Sequence, residues 1–292
     1  MKLSMYTEFY KLLTLHGIAE AARMASISGF DSVEMLDIRG TGVISDVESA
    51  REARRILGDK GLSVSCFSLA IDLIPFDRYG NIVGECDNAV ETAVRVAKIA
   101  KEMGSPYFHH TLVTNLRPDL HRLKPPYDDV FDILIDAAAR IAGACNSMGL
   151  AVLYEPQGFY VNGSENFGRF YGEMKRLGYD VGVCGDMANT LFVDEPPIEF
   201  YRNFAGEFRH VHLKDYKCFG KEIVPDRKCL LSMDGRVYSE TELGEGSVCF
   251  RECMKLLKSV GYEGAFSLEI NQNGVDIAED SRRIIKTVRD NY

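Results

Sequence analysis

No stretch of this sequence approaches the roughly 18 consecutive apolar residues that suggest a membrane span. The opening residues, Met1-Lys2-Leu3-Ser4-Met5-Tyr6, also lack the apolar core of a secretory signal. A membrane partner is therefore not expected. Positive charge is scarce as well. Lys and Arg number 34 against 43 Asp and Glu, a net charge of −9. An acidic chain lacks the basic footprint that nucleic-acid binding needs, so no nucleic-acid partner is expected. The eight cysteines form no CxxC pair. Cys249 and Cys253 have i,i+4 spacing, which suits helix packing. Scattered cysteines without an export signal point to reduced thiols in a cytoplasmic protein rather than a disulfide frame. No GxGxxG turn follows the first strand, there is no P-loop, and no linker or low-complexity segment divides the chain.

What is present is an alternation of short apolar strands and helical patterns. Strands are expected at Leu3–Tyr6, Asp31–Asp37, Leu62–Leu69, Pro106–Leu112, Val152–Glu155, Val181–Asp186, Arg209–Asp215 and Phe266–Glu269. Helical spacing is expected at Ile18–Ser28, Val47–Asp59, Cys86–Met103, Asp128–Met148, Ser164–Leu177, Ile198–Ala205, Val248–Val260 and Asp276–Val288. Eight strands, each followed by a helix, imply βαβ units and a parallel sheet closed into a (β/α)8 TIM barrel. An open doubly wound sheet is the runner-up. The expected organisation is one domain over residues 1–292, with an insertion at about 216–248 after strand seven that shows no clear periodicity. That insertion carries Lys217, Lys221, Arg227, Lys228 and Arg236 beside Ile223, Val224, Leu230, Leu231 and Met233. It reads as a lid over the barrel mouth or a surface for a partner subunit, with a solvated excursion as the plain alternative.

Four of the strands end in a potential ligand. Alternation places His210 and His212 on one face of strand seven. Strands five, six and eight end in Glu155, Asp186 and Glu269. In a barrel, strand C-termini form the catalytic mouth, and these four strands are neighbours. Glu155, Asp186, His212 and Glu269 are therefore expected to converge on one divalent metal. Three carboxylates and one imidazole form a hard, oxygen-rich set. Mn2+ is the first choice, with Mg2+, Co2+ or Zn2+ behind it. His109, near the end of strand four, faces the pocket as a substrate-binding or acid/base candidate, or else as a core histidine. Its neighbour His110 then turns to the other face. Lys214 shares the face of His212 and either binds a substrate oxygen or pairs with Asp215 or Glu245. Glu34 on strand two is a substrate-binding candidate or a buried, paired carboxylate. Phe159 and Tyr160 either close over a sugar ring or pack.

Several motifs carry a resemblance. They are Leu153-Tyr154-Glu155-Pro156, Gly185-Asp186-Met187-Ala188-Asn189, His210-Val211-His212-Leu213-Lys214-Asp215, Gly244-Glu245-Gly246 and Gly261-Tyr262-Glu263-Gly264-Ala265-Phe266-Ser267-Leu268-Glu269. Together with Gly29-Phe30-Asp31-Ser32-Val33-Glu34, they make the chain resemble the sugar phosphate isomerase/epimerase family, with its xylose isomerase-like TIM barrel. The resemblance implies that Glu155, Asp186, His212 and Glu269 are metal ligands, and that Glu155 and Glu269 double as acid and base. It implies a sugar or polyol substrate and proton abstraction next to a carbonyl through an enediolate. Returning the proton to the other face epimerises, returning it to the next carbon isomerises, and expelling a β-substituent eliminates.

Two positions depart from the ketose 3-epimerase pattern. Asn189 stands where those enzymes carry a histidine and is kept as a substrate-binding candidate. Cys218 stands where they carry an arginine. Both departures favour the alternative of a lyase acting on a keto-sugar, an inosose or a 3-keto-glycoside, with or without a partner subunit. The family's repair-nuclease branch needs more metal-binding histidines than the six present here. A non-catalytic barrel subunit remains as a further alternative. A homo-oligomer is compatible with each of these.

Overall fold

The computed structural model describes residues 1–84, 86–114, 116–221, 228–271 and 276–292. Its elements run β1 (Lys2–Met5), α1 (Thr7–His16), α2 (Ile18–Ser28), β2 (Ser32–Ile38), α3 (Val47–Asp59), β3 (Ser63–Ala70), α4 (Asp87–Glu102) and β4 (Tyr107–His110). The second half continues with α5 (Pro118–His121), α6 (Tyr127–Ser147), β5 (Ala151–Tyr154), α7 (Gly163–Arg176), β6 (Val181–Asp186), α8 (Pro197–Phe204) and β7 (Phe208–Leu213). Then come β8 (Asp215–Cys218), β9 (Leu230–Leu231), β10 (Val237–Thr241), α9 (Phe250–Ser259), β11 (Ala265–Leu268) and α10 (Ile277–Asn291). Eight parallel strands close in the order β1-β11-β7-β6-β5-β4-β3-β2, the expected (β/α)8 barrel. No helix among the described residues is long and apolar enough to cross a membrane. All eight cysteines are free thiols.

The strands are buried on both faces, so their outward residues pack under the helices. On β7, Val211 and Leu213 face outward into that layer, while His210 and His212 alternate inward. Register fixes the mouth. Asp186 pairs with His212 across β6 and β7, and Leu268 pairs with Leu213 across β11 and β7. The backbone N–H of Glu269 then donates to the Leu213 carbonyl, which sets Glu269 one step past the ladder, beside His212.

Two differences from the sequence expectation have physical causes. The first βα connection holds two helices, not one. Phe9, Leu12 and Leu13 give α1 its own apolar stripe, and Gly17, at φ 80°, separates it from α2. The insertion is also not structureless. Strands β8, β10 and β9 form a three-stranded antiparallel sheet. Strands of two to five residues are too short for alternation to show in a sequence. Within the insertion, Ile223, Val224 and Arg227 lie outside the described residues.

The small sheet is tied to loops at the catalytic end. Met233 N–H donates to the Phe192 carbonyl, Arg122 reaches the Met233 carbonyl at 3.1 Å, and Glu240 accepts from Asn271. Its root is Asp215, which is fully buried. One carboxylate oxygen accepts from the N–H groups of Tyr216 and Val248, and the other from those of Gly244 and Gly246. A Cβ at Gly246 would collide with that carboxylate, which gives the Gly244-Glu245-Gly246 motif a structural reason. Asp215→Ala leaves four backbone donors without their acceptor. It is expected to cost about 3 kcal/mol, since a buried unsatisfied donor costs about 1–3 kcal/mol and only the Val248 N–H is fully buried, the other three being open in part to water. A melting temperature unchanged from that of the native protein would refute this assignment.

Candidate active site

Glu155, Asp186, His212 and Glu269 meet at the C-terminal mouth. Each offers one ligand atom, and these atoms lie within 4.8 Å of one another. Donors held at about 2.1 Å around one small cation are at most about 4.2 Å apart, so a small inward draw completes such a site. Asp186 shows how the positions are held. Its Oδ1 accepts from the N–H groups of Ala188 and Asn189 at 2.7 and 2.6 Å. Its Oδ2 is buried without an aligned hydrogen bond, although the Lys214 ammonium lies 2.8 Å away as an ion-pair partner. An oxygen so placed suits a cation. The donor set and its buried oxygen fit one divalent metal ion.

His212 is fixed from behind. Its Nε2 faces both Glu34 oxygens at 3.0 and 3.2 Å, which aims Nδ1 at Glu155 Oε1 (2.7 Å) and Glu269 Oε2 (3.1 Å). Tyr6 stacks on the ring with centroids 5.0 Å apart. Carboxylate support of a ligating imidazole is a recurrent feature of metal sites. Glu34 also accepts from His210 Nε2 at 2.7 Å. Burial pushes the Glu34 carboxyl up, but His212 and His210 outweigh it and hold the group well below the usual range. Glu34 is wholly buried, both oxygens are engaged by imidazoles, and it sits behind His212 rather than at the mouth. This is the buried, paired arrangement, so direct contact with substrate gives way to support of His212.

The other sites proposed from the sequence are also placed. Lys214 does not pair with Asp215 or Glu245. Its ammonium lies between Asp186 and Glu269, 2.8 and 2.9 Å from their oxygens. His109 turns inward beside Glu155, while His110 faces away, with its Nδ1 on the Thr111 carbonyl and its ring edge on Tyr154. Asn189 is buried in the turn after Asp186, with its side-chain Nδ2 unpartnered. Phe159 and Tyr160 are buried against His121, as packing residues rather than a cover over the mouth. Sequence reasoning missed Ser68, which bridges Glu34 and His109, and Tyr6.

The two end carboxylates sit in opposite surroundings. Burial lifts the Glu155 carboxyl to about 7, and nearby Asp186 and Glu269 add to this while His212 opposes it. Burial also pushes Glu269 up, but Lys214 and His212 overcome it and bring that group to about 2. Burial pushes His212 down, and the carboxylates of Glu34 and Glu155 help to hold its ring well above the ordinary value. With both ring nitrogens on carboxylates, His212 carries two protons, and ligation through Nδ1 has to displace one. Metal affinity is therefore expected to rise with pH through neutrality, with proton release on binding. Calorimetric titration in two buffers of different ionisation enthalpy checks this. Equal apparent enthalpies in the two buffers would contradict it.

A model of the xylose isomerase-like TIM barrel matches residues 21–288. The chain belongs to that family. An inosose dehydratase of Geobacillus thermodenitrificans is 23% identical over 225 residues, covering 75% of this chain and 73% of that protein. Among solved structures, the 3-keto-D-glucoside 4-epimerase YcjR from E. coli superposes with a TM-score of 0.71 at 17% identity, covering 99% of both chains. A xylose isomerase-like TIM barrel protein from Mycobacterium smegmatis, in complex with magnesium, superposes at 0.69 with 18% identity, covering 99% of this chain and 97% of that one.

Proposed function

We propose that this chain is a divalent-metal-dependent enzyme that moves a proton next to the carbonyl of a sugar or sugar-like polyol, as an isomerase or epimerase. The observation that carries the proposal is the gathering of three carboxylates and one imidazole at the barrel mouth. Glu155, Asp186, His212 and Glu269 would hold the ion. The oxygen-rich set suits Mn2+ first, and Mg2+ next. The ion would supply Lewis-acid polarisation of the substrate's carbonyl.

The remaining work falls to the chain's own groups. Glu269, kept ionised by Lys214 and His212, is placed to remove a proton. Glu155, across the ligand set from it, would give one back. Lys214, Asn189 and His109 are the candidate contacts for substrate oxygens. The small sheet after β7 would serve as a lid over the mouth or as a surface for a partner subunit.

A second reading is elimination from a keto-sugar or inosose. Asn189 and Cys218 support it, since they replace the expected histidine and arginine. The match to an inosose dehydratase over three quarters of the chain supports it too.

The test is solvent-deuterium incorporation. Chelator-stripped protein, reloaded with Mn2+, is incubated in D2O with ketoses, keto-glycosides and inososes. Metal-dependent exchange at the carbon beside the carbonyl is expected. The product, rearranged or shortened by a leaving group, separates isomerase from lyase. Absence of both exchange and metal binding would leave a structural barrel.

A further inference from the structure

The inward faces of β2, β3 and β4 carry a buried chain of hydrogen bonds running from Glu34 to the edge of the metal site. Ser68 Oγ lies 2.5 Å from Glu34 Oε1 and 2.9 Å from His109 Nδ1. A hydroxyl has one proton. Glu34 already accepts from two imidazoles and is an ionised acceptor, so the serine proton goes to Glu34. Toward His109, Ser68 can then only accept. Nδ1 of His109 must carry the hydrogen, and Nε2 must present a bare lone pair.

That nitrogen is buried and has no hydrogen-bond partner. It lies 3.7 Å from Glu155 Oε2, too far for a hydrogen bond in either direction. The ring is itself held, 3% exposed and edge-on to His212 at 5.8 Å. The arrangement leaves one acceptor aimed at the ground between His109 and Glu155, and a proton donor completes it.

We propose that His109 accepts a hydrogen bond from a hydroxyl of the bound polyol, in a tautomer set by Glu34 through Ser68. Ser68 and Glu34 are thus positioning residues. Glu34 serves two imidazoles at once, aiming Nδ1 of His212 into the ligand set and Nε2 of His109 toward substrate. This rests on the proposed function and narrows its substrate class. The substrate carries a free hydroxyl at the position facing β4, and a deoxy or O-substituted analogue there is discriminated against.

The tautomer can be read without turnover. Protein labelled with 15N-histidine and loaded with diamagnetic Mg2+ is examined by long-range 1H–15N correlation, with His109→Gln assigning the signal. The expected result is a protonated Nδ1 and an unprotonated Nε2, with the pattern lost or mixed in Ser68→Ala. Adding inositol, an unreactive polyol, should move Nε2 toward the hydrogen-bonded range while Nδ1 keeps its proton. Ser68→Ala should weaken inositol binding about tenfold, the worth of one well-placed hydrogen bond. It should also leave Mg2+ affinity within about threefold, because Ser68 lies outside the residues supporting the ligands directly.

A wild-type ring protonated at Nε2 would overturn the proposal. So would an Nε2 signal unmoved at the highest inositol concentration attainable, or one that responds to replacing Mg2+ by Zn2+ and so marks direct ligation. If the deuterium test fails on every compound while the tautomer and its inositol response hold, the proposed reaction is wrong and the polyol site stands.

Discussion

Glu269→Gln should lower metal-dependent deuterium exchange by about a thousandfold, within the range general acid–base catalysis contributes. The geometry explains why so small a change acts so strongly. Glutamine keeps the shape and one oxygen, so it can still approach the ion. It cannot take a proton from carbon, and it removes the charge that Lys214 and His212 hold in place at 2.9 and 3.1 Å. Glu155→Gln removes the partner on the other side of the set and should cost a similar factor in product formation, with exchange retained. The two variants differ in a useful way. In an epimerase whose base is Glu269, losing Glu155 can leave exchange from the Glu269 face, with no inversion. In an elimination, losing the acid blocks departure of the leaving group while washout of label can persist. Exchange without product in one variant, and no exchange in the other, would assign base and acid individually. Metal content must be measured alongside. Activity within tenfold of wild type in both variants, with metal bound, would remove these carboxylates from the reaction.

How much of this was readable in the sequence depends on the range of the contact. His210 and His212 declare a shared face through the two-residue period of one strand. Glu155, Asp186 and Glu269 stand out because each charge ends an apolar run, and a parallel barrel gathers such ends on one rim. The barrel itself follows from repeated βα units, each local in the chain. The bond from Ser68 to Glu34 spans 34 residues and that from Ser68 to His109 spans 41, and serine within a strand is unremarkable alone. The sequence offers Lys214 a substrate oxygen, or Asp215 or Glu245 as an ion-pair partner. Its real partners, Asp186 and Glu269, were singled out separately, but side-chain direction at the end of β7 decides the pairing. Asp215 then serves the backbone of the insertion, a use that no charge pattern reveals. The three-stranded sheet escaped notice because its strands are shorter than the window in which alternation can be recognised.

Asp186→Ala is expected to combine loss of metal with loss of stability, and the two can be separated. Asp186 is fully buried, and its two oxygens serve two backbone N–H groups and the Lys214 ammonium. Alanine removes a ligand, leaves the N–H groups of Ala188 and Asn189 without an acceptor, and strips Lys214 of one of its two counter-charges. Breaking a buried ion pair from one side costs about 3–5 kcal/mol, because the surviving charge remains buried. Metal affinity should fall more than about 100-fold, beyond the 10–100-fold typical of losing a supporting residue outside the ligand set. Lys214→Met supplies the control. Alone, it leaves all four candidate ligands in place, so metal still binds. Combined with Asp186→Ala, it removes the stranded ammonium, and the double variant should be more stable than the sum of the two single losses, by the coupling expected of residues in contact. Its metal binding should stay as weak as in Asp186→Ala. Stability recovering while metal binding does not is the signature of a carboxylate holding two separate cations. If Asp186→Ala binds Mn2+ as tightly as the native chain, the four-ligand site is wrong, whatever happens to stability. If additivity holds between the two positions, the Lys214 contact contributes nothing to the fold, and its ammonium belongs to the substrate alone.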